Sequence, residues 1–316
     1  MKILLTGASG FIGAWVASKL LQTAGVETVL ALRPTSDRWR LRMLGCDPGR
    51  ANIAYADLTA AAEVRTMLAD VRPEAVIHLA TIYRPPGAAT NTQLEQVTYR
   101  ATMELFEAFV AVGGRRFITA GTCFEYGHQP RGPIPETATA QPTYDYAIAK
   151  ARATAELLEA GQSERRETLV LRIFSPYGPL EDSKRIVPQL IEAGLTGRRI
   201  GLTDGQQVRD FVFVEDVAEA CVKAALCPSL PQPQAVCNVC TGVGHSLREV
   251  ADCVAGVLAR PVDLAWGSLP YRPDEMMNLV GDNRKIRADL GWAPRFTLED
   301  GLRRMVEERR APLRAA

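Results

Sequence analysis

The chain carries no excess of either charge and no long hydrophobic run. Its 316 residues include 37 Lys plus Arg and 36 Asp plus Glu, a net charge of +1 that predicts no nucleic-acid partner. The first apolar run, Ile3 to Thr6, is too short for a signal peptide, and no stretch approaches the ~20 apolar residues of a membrane span. Apolar residues make up 47% and charged residues 23%, so we expect a globular, cytoplasmic protein that does not bind membranes.

Histidine is scarce, and the cysteines lack paired spacing. The three histidines, His78, His128 and His245, are dispersed along the chain. The seven cysteines form an odd, scattered set without the spacing of a secreted disulfide framework, which indicates reduced thiols. Cys237 and Cys240 make a C-x-x-C, but no second pair supplies further ligands and the AVCNVC segment predicts a buried strand. We therefore predict no metal site.

The first half of the chain alternates short apolar runs with amphipathic stretches, a pattern typical of βαβ units. Between the apolar runs lie helical patterns such as Phe11 to Thr23, where apolar residues recur at helical spacing. The candidate strands are Lys2 to Thr6, Thr28 to Arg33, Asn52 to Tyr55, Ala75 to Leu79, Arg116 to Ala120 and Thr168 to Ile173. The sequence therefore predicts an α/β fold with a doubly wound parallel sheet, the Rossmann architecture.

A glycine-rich segment, TGASGFIG, joins the first predicted strand to the first predicted helix. Gly7, Gly10 and Gly13 allow a tight turn that brings backbone N–H groups and the helix N-terminus against a pyrophosphate. The spacing is G-x-x-G-x-x-G rather than G-x-G-x-x-G, and turns also use glycine for purely conformational reasons. Its position directly after the first strand favours a dinucleotide site.

The second predicted strand ends in basic residues, where an acidic residue would bind the ribose of NAD. Arg33, with Ser36 and Arg38 close behind, can neutralise the 2′-phosphate of NADP and donate hydrogen bonds to its oxygens. We therefore favour NADP(H) over NAD(H), the alternative being an ordinary solvated arginine after a strand. Asp57, after the third strand, either accepts from the adenine amino group or caps the helix that follows.

Tyr146 and Lys150 lie four residues apart, so on a helix they share one face. A free tyrosine keeps its proton up to about pH 10, and a neighbouring ammonium group lowers that pKa towards the working pH. The phenol can then act as an acid or a base. Alone, the spacing also fits a chance pair on an exposed helix, but downstream of the glycine segment it favours an enzyme that moves hydride and proton to or from a carbonyl.

The sequence pattern changes after Phe174, where elements become shorter and proline and glycine more frequent, as in the predicted loop from Pro228 to Gln234. We expect residues 1–173 to form the dinucleotide-binding domain with the catalytic residues. Residues 174–316 should form mainly a smaller substrate-binding lobe, with residues from about 210 to 240 returning to the Rossmann domain. No internal repeat, low-complexity tract or long linker is present, and the ligand cleft should lie between the two parts.

Several motifs occur together in one order along the chain: TGASGFIG, DL at Asp57, HLA at His78, YG at Tyr126, YAIAK from Tyr146 to Lys150, LRIFSPYGP, RDFVFVEDVA and LGWAP. In their order and approximate spacing they resemble the extended short-chain dehydrogenase/reductase family, also called the NAD-dependent epimerase/dehydratase family. The resemblance runs over nearly the whole chain.

The resemblance implies a catalytic set of Thr122, Tyr146 and Lys150. Tyr146 would protonate the carbonyl oxygen as hydride arrives, Thr122 would hydrogen-bond that oxygen, and Lys150 would hold the nicotinamide ribose and lower the tyrosine pKa. Further cofactor contacts are implied for Phe11, Ile12, Leu58, Leu79, Ala80, Thr81 and Phe174.

The resemblance also implies a nucleotide-sugar substrate. Arg209 and Arg272 match two arginines that sugar-nucleotide members use to hold the diphosphate, although either alone also fits a surface arginine or ion-pair partner. The other implied substrate contacts are Thr81, Thr122, Cys123, Tyr146, Ser175, Arg185 and Ile186. Ser175 and Arg185 stand where the family usually has asparagine, which leaves the identity of the sugar open.

The GTCFEYG segment distinguishes among the reactions of the family. Dehydratases place an Asp and a Glu directly after the catalytic Thr, where this chain has Cys123 and Phe124. Glu125 comes one residue later and, with strand-like alternation, would point away from the site. Dehydration is therefore disfavoured. Cys123 is also one residue out of register with the cysteine of 3,5-epimerases, so we prefer a packing role for it.

The EYG sequence resembles that of reductases of 4-keto-6-deoxy nucleotide-sugars, and Arg33 points to a consumed NADPH. Together they favour NADPH-dependent reduction of such a ketone to a deoxyhexose nucleotide. The main alternative is a nucleotide-sugar 4-epimerase that retains its cofactor, and a reductase of a non-sugar carbonyl or a cofactor-sensing binding protein are further alternatives. The resemblance also implies a homodimer formed by helix pairing, with Leu94 to Val112 and Tyr144 to Leu158 as candidate helices. Both segments are apolar enough to be either core or interface.

Overall fold

The computed structural model describes residues 1–46, 51–82 and 91–314, with side chains to residue 310, and every predicted site residue lies within these ranges. The strands are β1 (Lys2–Thr6), β2 (Glu27–Leu32), β3 (Asn52–Tyr55), β4 (Ala75–His78), β5 (Arg116–Thr122), β6 (Pro133–Ile134), β7 (Glu167–Ile173), β8 (Pro176–Tyr177), β9 (Ile200–Gly201), β10 (Val208–Arg209), β11 (Val212–Phe213), β12 (Gln234–Val239), β13 (His245–Ser246), β14 (Leu264–Ala265) and β15 (Asn278–Gly281).

The helices connect and cover these strands. They are α1 (Phe11–Leu21), α2 (Trp39–Met43), α3 (Ala61–Val71), α4 (Asn91–Leu94), α5 (Ala101–Ala111), α6 (Asp145–Ser163), α7 (Ile186–Thr196), α8 (Val214–Leu226), α9 (Leu247–Leu258), α10 (Arg284–Leu290) and α11 (Leu298–Arg314). A π-helical segment, Glu95–Arg100, joins α4 to α5, and a short 3₁₀-helix, Cys123–Tyr126, follows β5.

A seven-stranded sheet organises the N-terminal part of the fold. Its strand order is β12-β7-β5-β4-β1-β2-β3, and all of its strand pairs are parallel. The predicted doubly wound Rossmann sheet is confirmed. The order reverses direction between β1 and β4, and in such sheets ligands bind outside the carboxyl ends of the strands at this reversal.

The strand boundaries differ from the predicted ones at two places that matter for the site. β2 ends at Leu32, so Arg33 is the first residue of the following loop rather than the last of the strand. β5 continues to Thr122, two residues beyond the predicted Ala120, because its register with β7 extends to the pair Thr122 and Ile173. The strand passes through Gly121, a residue type that strands disfavour, and pairing with β7 outweighs that local preference.

Two apolar layers cover the sheet and a third core lies in the C-terminal part. One face packs against α1 and α8, and the other packs against α3, α5 and α6. The third core lies among α7, α9 and α11. The predicted buried strand AVCNVC is confirmed as β12, which pairs with β7 at the edge of the large sheet. The proposed boundary at residue 174 stays a prediction.

The seven cysteines all lie within the described residues, and no disulfide joins any of them. Among the described residues, no group of three or more His, Cys, Asp or Glu side chains has the arrangement of a metal site. No helix within the described ranges combines the length and the apolar character that a bilayer crossing requires.

Candidate active site

The glycine segment forms a tight turn between β1 and α1. Gly7 has a φ of 71°, and the Gly10 amide donates to its carbonyl at 2.9 Å. A Cβ at Gly7 would lie 2.6 Å from the Ala80 nitrogen, and one at Gly13 would lie 2.0 Å from the Gly7 oxygen. Both contacts are with backbone atoms that cannot move aside, so the close approach of α1 to the ends of β1 and β4 requires glycine at both positions.

The N-terminus of α1 fits an anionic group. Gly10 is the N-cap residue, and among the described side chains none caps this end and none in the first turn is acidic. The first-turn N–H groups, including those of Phe11 and Ile12, therefore remain free of helix partners at the positive end of the helix dipole. A pyrophosphate bound here would satisfy them, which matches the predicted dinucleotide site.

The loop after β2 holds the basic residues predicted to select the cofactor. Arg33 is exposed, and its amide donates to the Ser36 hydroxyl at 3.1 Å. Arg38 donates to the Tyr55 hydroxyl at 2.6 Å and lies over that ring. Both residues thus lie in the loop at the carboxyl end of β2, a position compatible with a 2′-phosphate and also with its absence.

Asp57 shapes the turn before α3. Its Oδ1 accepts from the Thr59 amide at 2.9 Å and from the Thr59 hydroxyl at 2.8 Å. These bonds, with a smaller contribution from Arg33, hold the Asp57 pKa below its ordinary value. The alternative that Asp57 caps the helix is wrong in detail, because the N-cap residue of α3 is Ala60. Leu58 packs beside α3.

A buried histidine fixes the segment after β4. His78 Nδ1 lies 2.7 Å from the Thr6 hydroxyl, and Nε2 lies 3.0 Å from the Thr102 hydroxyl. Thr102 donates to the Thr98 carbonyl, so Nε2 carries the ring proton and Nδ1 accepts from Thr6. The Thr6 oxygen in turn accepts from the Ala80 amide at 3.3 Å.

Burial, aided by the charge of Lys150, lowers the pKa of His78 to about 3, so the imidazole is neutral and serves as a fixed hydrogen-bonding element. Thr81, the next predicted contact, lies 3.2 Å from the Thr98 hydroxyl through its own Oγ1. Leu79 packs against the core under α1. The structure therefore places Leu79, Ala80 and Thr81 at the carboxyl end of β4, next to the glycine turn.

Thr122 ends β5, and Lys150, one helical turn after Tyr146 on α6, reaches the same strand end. Tyr146 and Lys150 are one turn apart at the start of α6, with 9% and 4% of their surfaces exposed. Lys150 Nζ donates to the Ala120 carbonyl at 2.8 Å, two residues before Thr122 on β5. The Thr122 hydroxyl accepts from the Phe124 amide at 3.4 Å.

Burial lowers the pKa of Lys150 to about 8, and the Glu125 carboxylate acts against that shift. The ammonium form therefore predominates at neutral pH and is lost as the pH rises through about 8. The Tyr146 ring stacks on Tyr144, with centroids 6.5 Å apart, and Tyr144 lines the adjoining cleft. Neither side chain of the Tyr–Lys pair faces bulk solvent.

Glu125 does not follow the predicted strand alternation, because the chain turns into the 3₁₀-helix directly after Thr122. The carboxylate turns into the protein and accepts from the Thr122 amide at 2.8 Å, while Phe124 reaches the cleft. Cys123 is 2% exposed, and burial raises its pKa to about 12, so it is a thiol packed beside the site. Phe174 has no exposed surface and packs near Tyr126. None of its surface is therefore available for the predicted cofactor contact.

A cleft of about 620 Å³ opens beside Tyr144 and Phe124. It is lined by predicted substrate residues, namely Ser175, Arg185, Ile186, Arg209 and Arg272. Arg209 pairs with Glu275 and donates to the Val208 carbonyl at 2.9 Å, so part of its charge is already balanced. A diphosphate entering the cleft would compete with Glu275 for this guanidinium group.

Glu181 is a cleft residue that no motif in the sequence singles out. Its side chain is 6% exposed, Oε1 lies 3.5 Å from Arg185 Nε, and Oε2 has no hydrogen-bond partner within the described residues. Burial raises the pKa of this carboxyl to about 7. The preceding backbone is fixed, since Trp15 donates to the Pro179 carbonyl at 3.2 Å and Arg40 donates to the Leu180 carbonyl at 2.9 Å.

Comparison with known proteins identifies the family of the chain. Residues 3–240 match the model of the NAD dependent epimerase/dehydratase family. The UDP-glucose 4-epimerase of Mycolicibacterium smegmatis is 29% identical over 330 residues, covering 97% of this chain and 98% of the relative. The GDP-6-deoxy-D-mannose reductase of Pseudomonas aeruginosa is 25% identical, covering 97% of this chain and 96% of the relative.

The fold also matches solved structures over almost its whole length. The UDP-glucose 4-epimerase of Thermus thermophilus in complex with NAD has a TM-score of 0.84 and 29% identity, covering 98% of this chain and 99% of that one. NAD is the cofactor bound in that structure.

Proposed function

Because this chain belongs to the NAD-dependent epimerase/dehydratase family, we propose that it is a nucleotide-sugar 4-epimerase. The chain is an NAD(P)-dependent enzyme of the extended short-chain dehydrogenase/reductase type. The observation that carries the proposal is the hydrogen bond from Lys150, one helical turn after Tyr146, to β5 two residues before Thr122. The adjoining cleft is lined by Tyr144 and by two arginines, Arg209 and Arg272. Relatives named as 4-epimerases support epimerisation over net reduction.

The proposed roles follow from the side chains. Tyr146 takes the proton from the C4 hydroxyl group and returns it to the carbonyl oxygen. Thr122 donates a hydrogen bond to that oxygen, and Lys150 keeps a positive charge next to the phenol. The bound dinucleotide supplies the hydride acceptor and donor. The glycine turn and the uncapped start of α1 would hold its pyrophosphate.

The cleft residues suggest how the substrate is oriented. Arg209 and Arg272 line the same cleft and would bind the diphosphate through charge-assisted hydrogen bonds, which leaves the sugar to extend towards Tyr146. Ser175 and Arg185 lie in this cleft at the positions that depart from the usual asparagines. They are therefore candidate specificity residues of the sugar pocket.

The second candidate function is NADPH-dependent reduction of a 4-keto-6-deoxy nucleotide-sugar. Arg33 favours it, because it is an exposed cation at the first position after β2, and so does the similarity to the Pseudomonas aeruginosa reductase. The proton chemistry is the same in both reactions. The difference lies in whether the cofactor is retained and regenerated or consumed and exchanged.

One experiment separates the two functions. Purified protein is denatured to release and identify any bound dinucleotide, and native protein is incubated with UDP-hexoses, UDP-pentoses and 4-keto-6-deoxy nucleotide-sugars. Epimerisation predicts interconversion of C4 epimers without added cofactor. Oxidation of added NADPH by a 4-keto sugar, with no interconversion, would replace the epimerase proposal by the reductase.

Tyr146→Phe provides the control for the chemistry. It should lower turnover by at least about a hundredfold, since it removes the acid–base group, and it should leave dinucleotide content unchanged. Turnover close to that of the wild type would contradict the role given to Tyr146.

A further inference from the structure

Glu125 is a carboxyl group with no exposed surface, located behind the proposed catalytic groups. Its Oε1 accepts from the Thr122 amide at 2.8 Å. Its Oε2 accepts from the Thr154 hydroxyl at 3.0 Å and from Arg172 Nε at 2.8 Å. Both oxygens are therefore committed to fixed donors, and one of these donors is the backbone of a proposed catalytic residue.

Glu125 is tied to the same two elements that hold Lys150. Thr154 follows Lys150 by one turn on α6, so the two side chains share a helix face. On β5, Lys150 binds the Ala120 carbonyl, and Glu125 binds the amide of Thr122 two residues later. The carboxylate of Glu125 and the ammonium group of Lys150 are thus both attached to the end of β5, and both are linked to the same face of α6.

The charges around Lys150 need a counter-ion. His78, from β4, is neutral because burial lowers its pKa to about 3. Arg172, from β7, is a permanent cation, and Tyr146 lies on the helix of Lys150 itself. Among the described groups that act on Lys150, Glu125 is the carboxylate that offsets its desolvation.

We propose that Glu125 is a positioning residue of the active site, which fixes the Thr122 backbone and keeps Lys150 protonated during the reaction. Glu125 would act in two separable ways: its hydrogen bond to the Thr122 amide orients the Thr122 hydroxyl, and its negative charge maintains the cation beside Tyr146. The proposal rests on the proposed function of the Thr–Tyr–Lys set. It assigns Glu125 no contact with substrate.

Glu125→Gln tests the electrostatic effect while preserving the shape of the side chain. Without the carboxylate, Arg172 and Lys150 are both cationic in the interior, so Lys150 should release its proton at a lower pH. The alkaline limb of the kcat profile should move down by about one pH unit, a shift that an opposite charge at this range can cause. KM for the nucleotide-sugar should stay within about twofold of the wild-type value.

Glu167→Gln is the matched control. Glu167 Oε2 accepts from Nε of the buried Arg116 at 2.8 Å, the same pairing at the opposite end of β7. Its loss should weaken the fold in a similar way without reaching Lys150. An equal shift of the pH profile in this control would overturn the proposal, since the shift would then report general destabilisation.

The double variant Glu125→Gln/Arg172→Gln covers the case in which an unpaired Arg172 prevents folding. It removes both charges together, so the alkaline limb should return most of the way to its wild-type position. A double variant that keeps the full shift of Glu125→Gln would contradict the charge-balance explanation.

A titration that does not depend on turnover separates this proposal from the proposed function. The NMR chemical shift of the Lys150 Cε reports the protonation of its amine in the protein with its dinucleotide, and Lys150→Met assigns the signal. If the wild type converts no nucleotide-sugar, the proposed function fails while the titration still tests Glu125. If the wild type is active but Lys150 titrates at the same pH in Glu125→Gln, the role of Glu125 is wrong and the function stands.

Discussion

Replacing Glu181 with glutamine should change the free energy of unfolding in a pH-dependent way. The stability of the variant minus that of the wild type should be larger at alkaline pH than at acidic pH. The carboxyl is almost fully buried in the cleft, and burial raises its pKa from 4.5 to about 7. The Glu181 carboxyl therefore ionises at a lower pH in the unfolded chain than in the folded protein. The wild type loses stability as the pH rises between these two pKa values. The glutamine side chain of the variant has no charge to bury, so this part of the pH dependence disappears.

The magnitude follows from the size of the shift. The difference of roughly 2.5 units between the folded and unfolded pKa corresponds to about 3 kcal/mol once both states have titrated. Most of that difference, roughly 2.5 kcal/mol, develops between about pH 5 and pH 8. The free-energy cost of burying the glutamine amide, including its effect on Arg185, is the same at both pH values. It therefore cancels when the stability difference at about pH 5 is compared with that at about pH 8.

The assay is urea unfolding of wild type and Glu181→Gln at about pH 5 and pH 8, with the same bound cofactor in each sample. Glu107→Gln, an exposed carboxylate change on α5, serves as the control and should leave the pH dependence unchanged. Parallel pH dependences for the wild type and Glu181→Gln would refute the reasoning, because they would mean that Glu181 titrates alike in the folded and unfolded states.

Three further predictions concern the site. Gly13→Ala should abolish dinucleotide binding or folding, because its Cβ would lie 2.0 Å from the Gly7 oxygen; normal cofactor content by absorbance would contradict this. Activity should fall as the pH rises through about 8, where Lys150 loses its charge; a rate profile flat to about pH 10 would separate catalysis from that ammonium group. Arg272→Ala should raise KM about tenfold or more with a smaller effect on kcat, measured by initial rates, since it removes one charge-assisted contact to the diphosphate; an unchanged KM would place Arg272 outside the binding site.

The sequence predicts the parallel sheet well because its inner strands, such as β1 and β4, are short, largely apolar runs, buried on both faces, that are set off by turn residues. The edge strand β3 is partly exposed. Gly7 and the Tyr146–Lys150 spacing could be located because their chemistry depends on neighbours close in sequence. Glu125 and Glu181 could not be interpreted in this way. Glu125 acquires its role from Thr154 and Arg172, and Glu181 from Arg185 and the anchored loop before it, which are contacts that only the folded chain creates.

The two candidate reactions differ in the cofactor they use and in whether it is retained. The structure allows the contribution of Arg33 to NADP preference to be compared with the contacts that both cofactors share. Arg33 is exposed, and an exposed ion pair contributes up to about 1 kcal/mol, less at physiological salt. One exposed cation therefore changes the preference between NADP and NAD by about fivefold at most. The contacts offered by the glycine turn and the start of α1 are common to both cofactors. So small a term does not outweigh the similarity to relatives named as 4-epimerases, which are 29% identical and match over almost the whole chain. For this reason we propose epimerisation with a retained cofactor rather than net reduction.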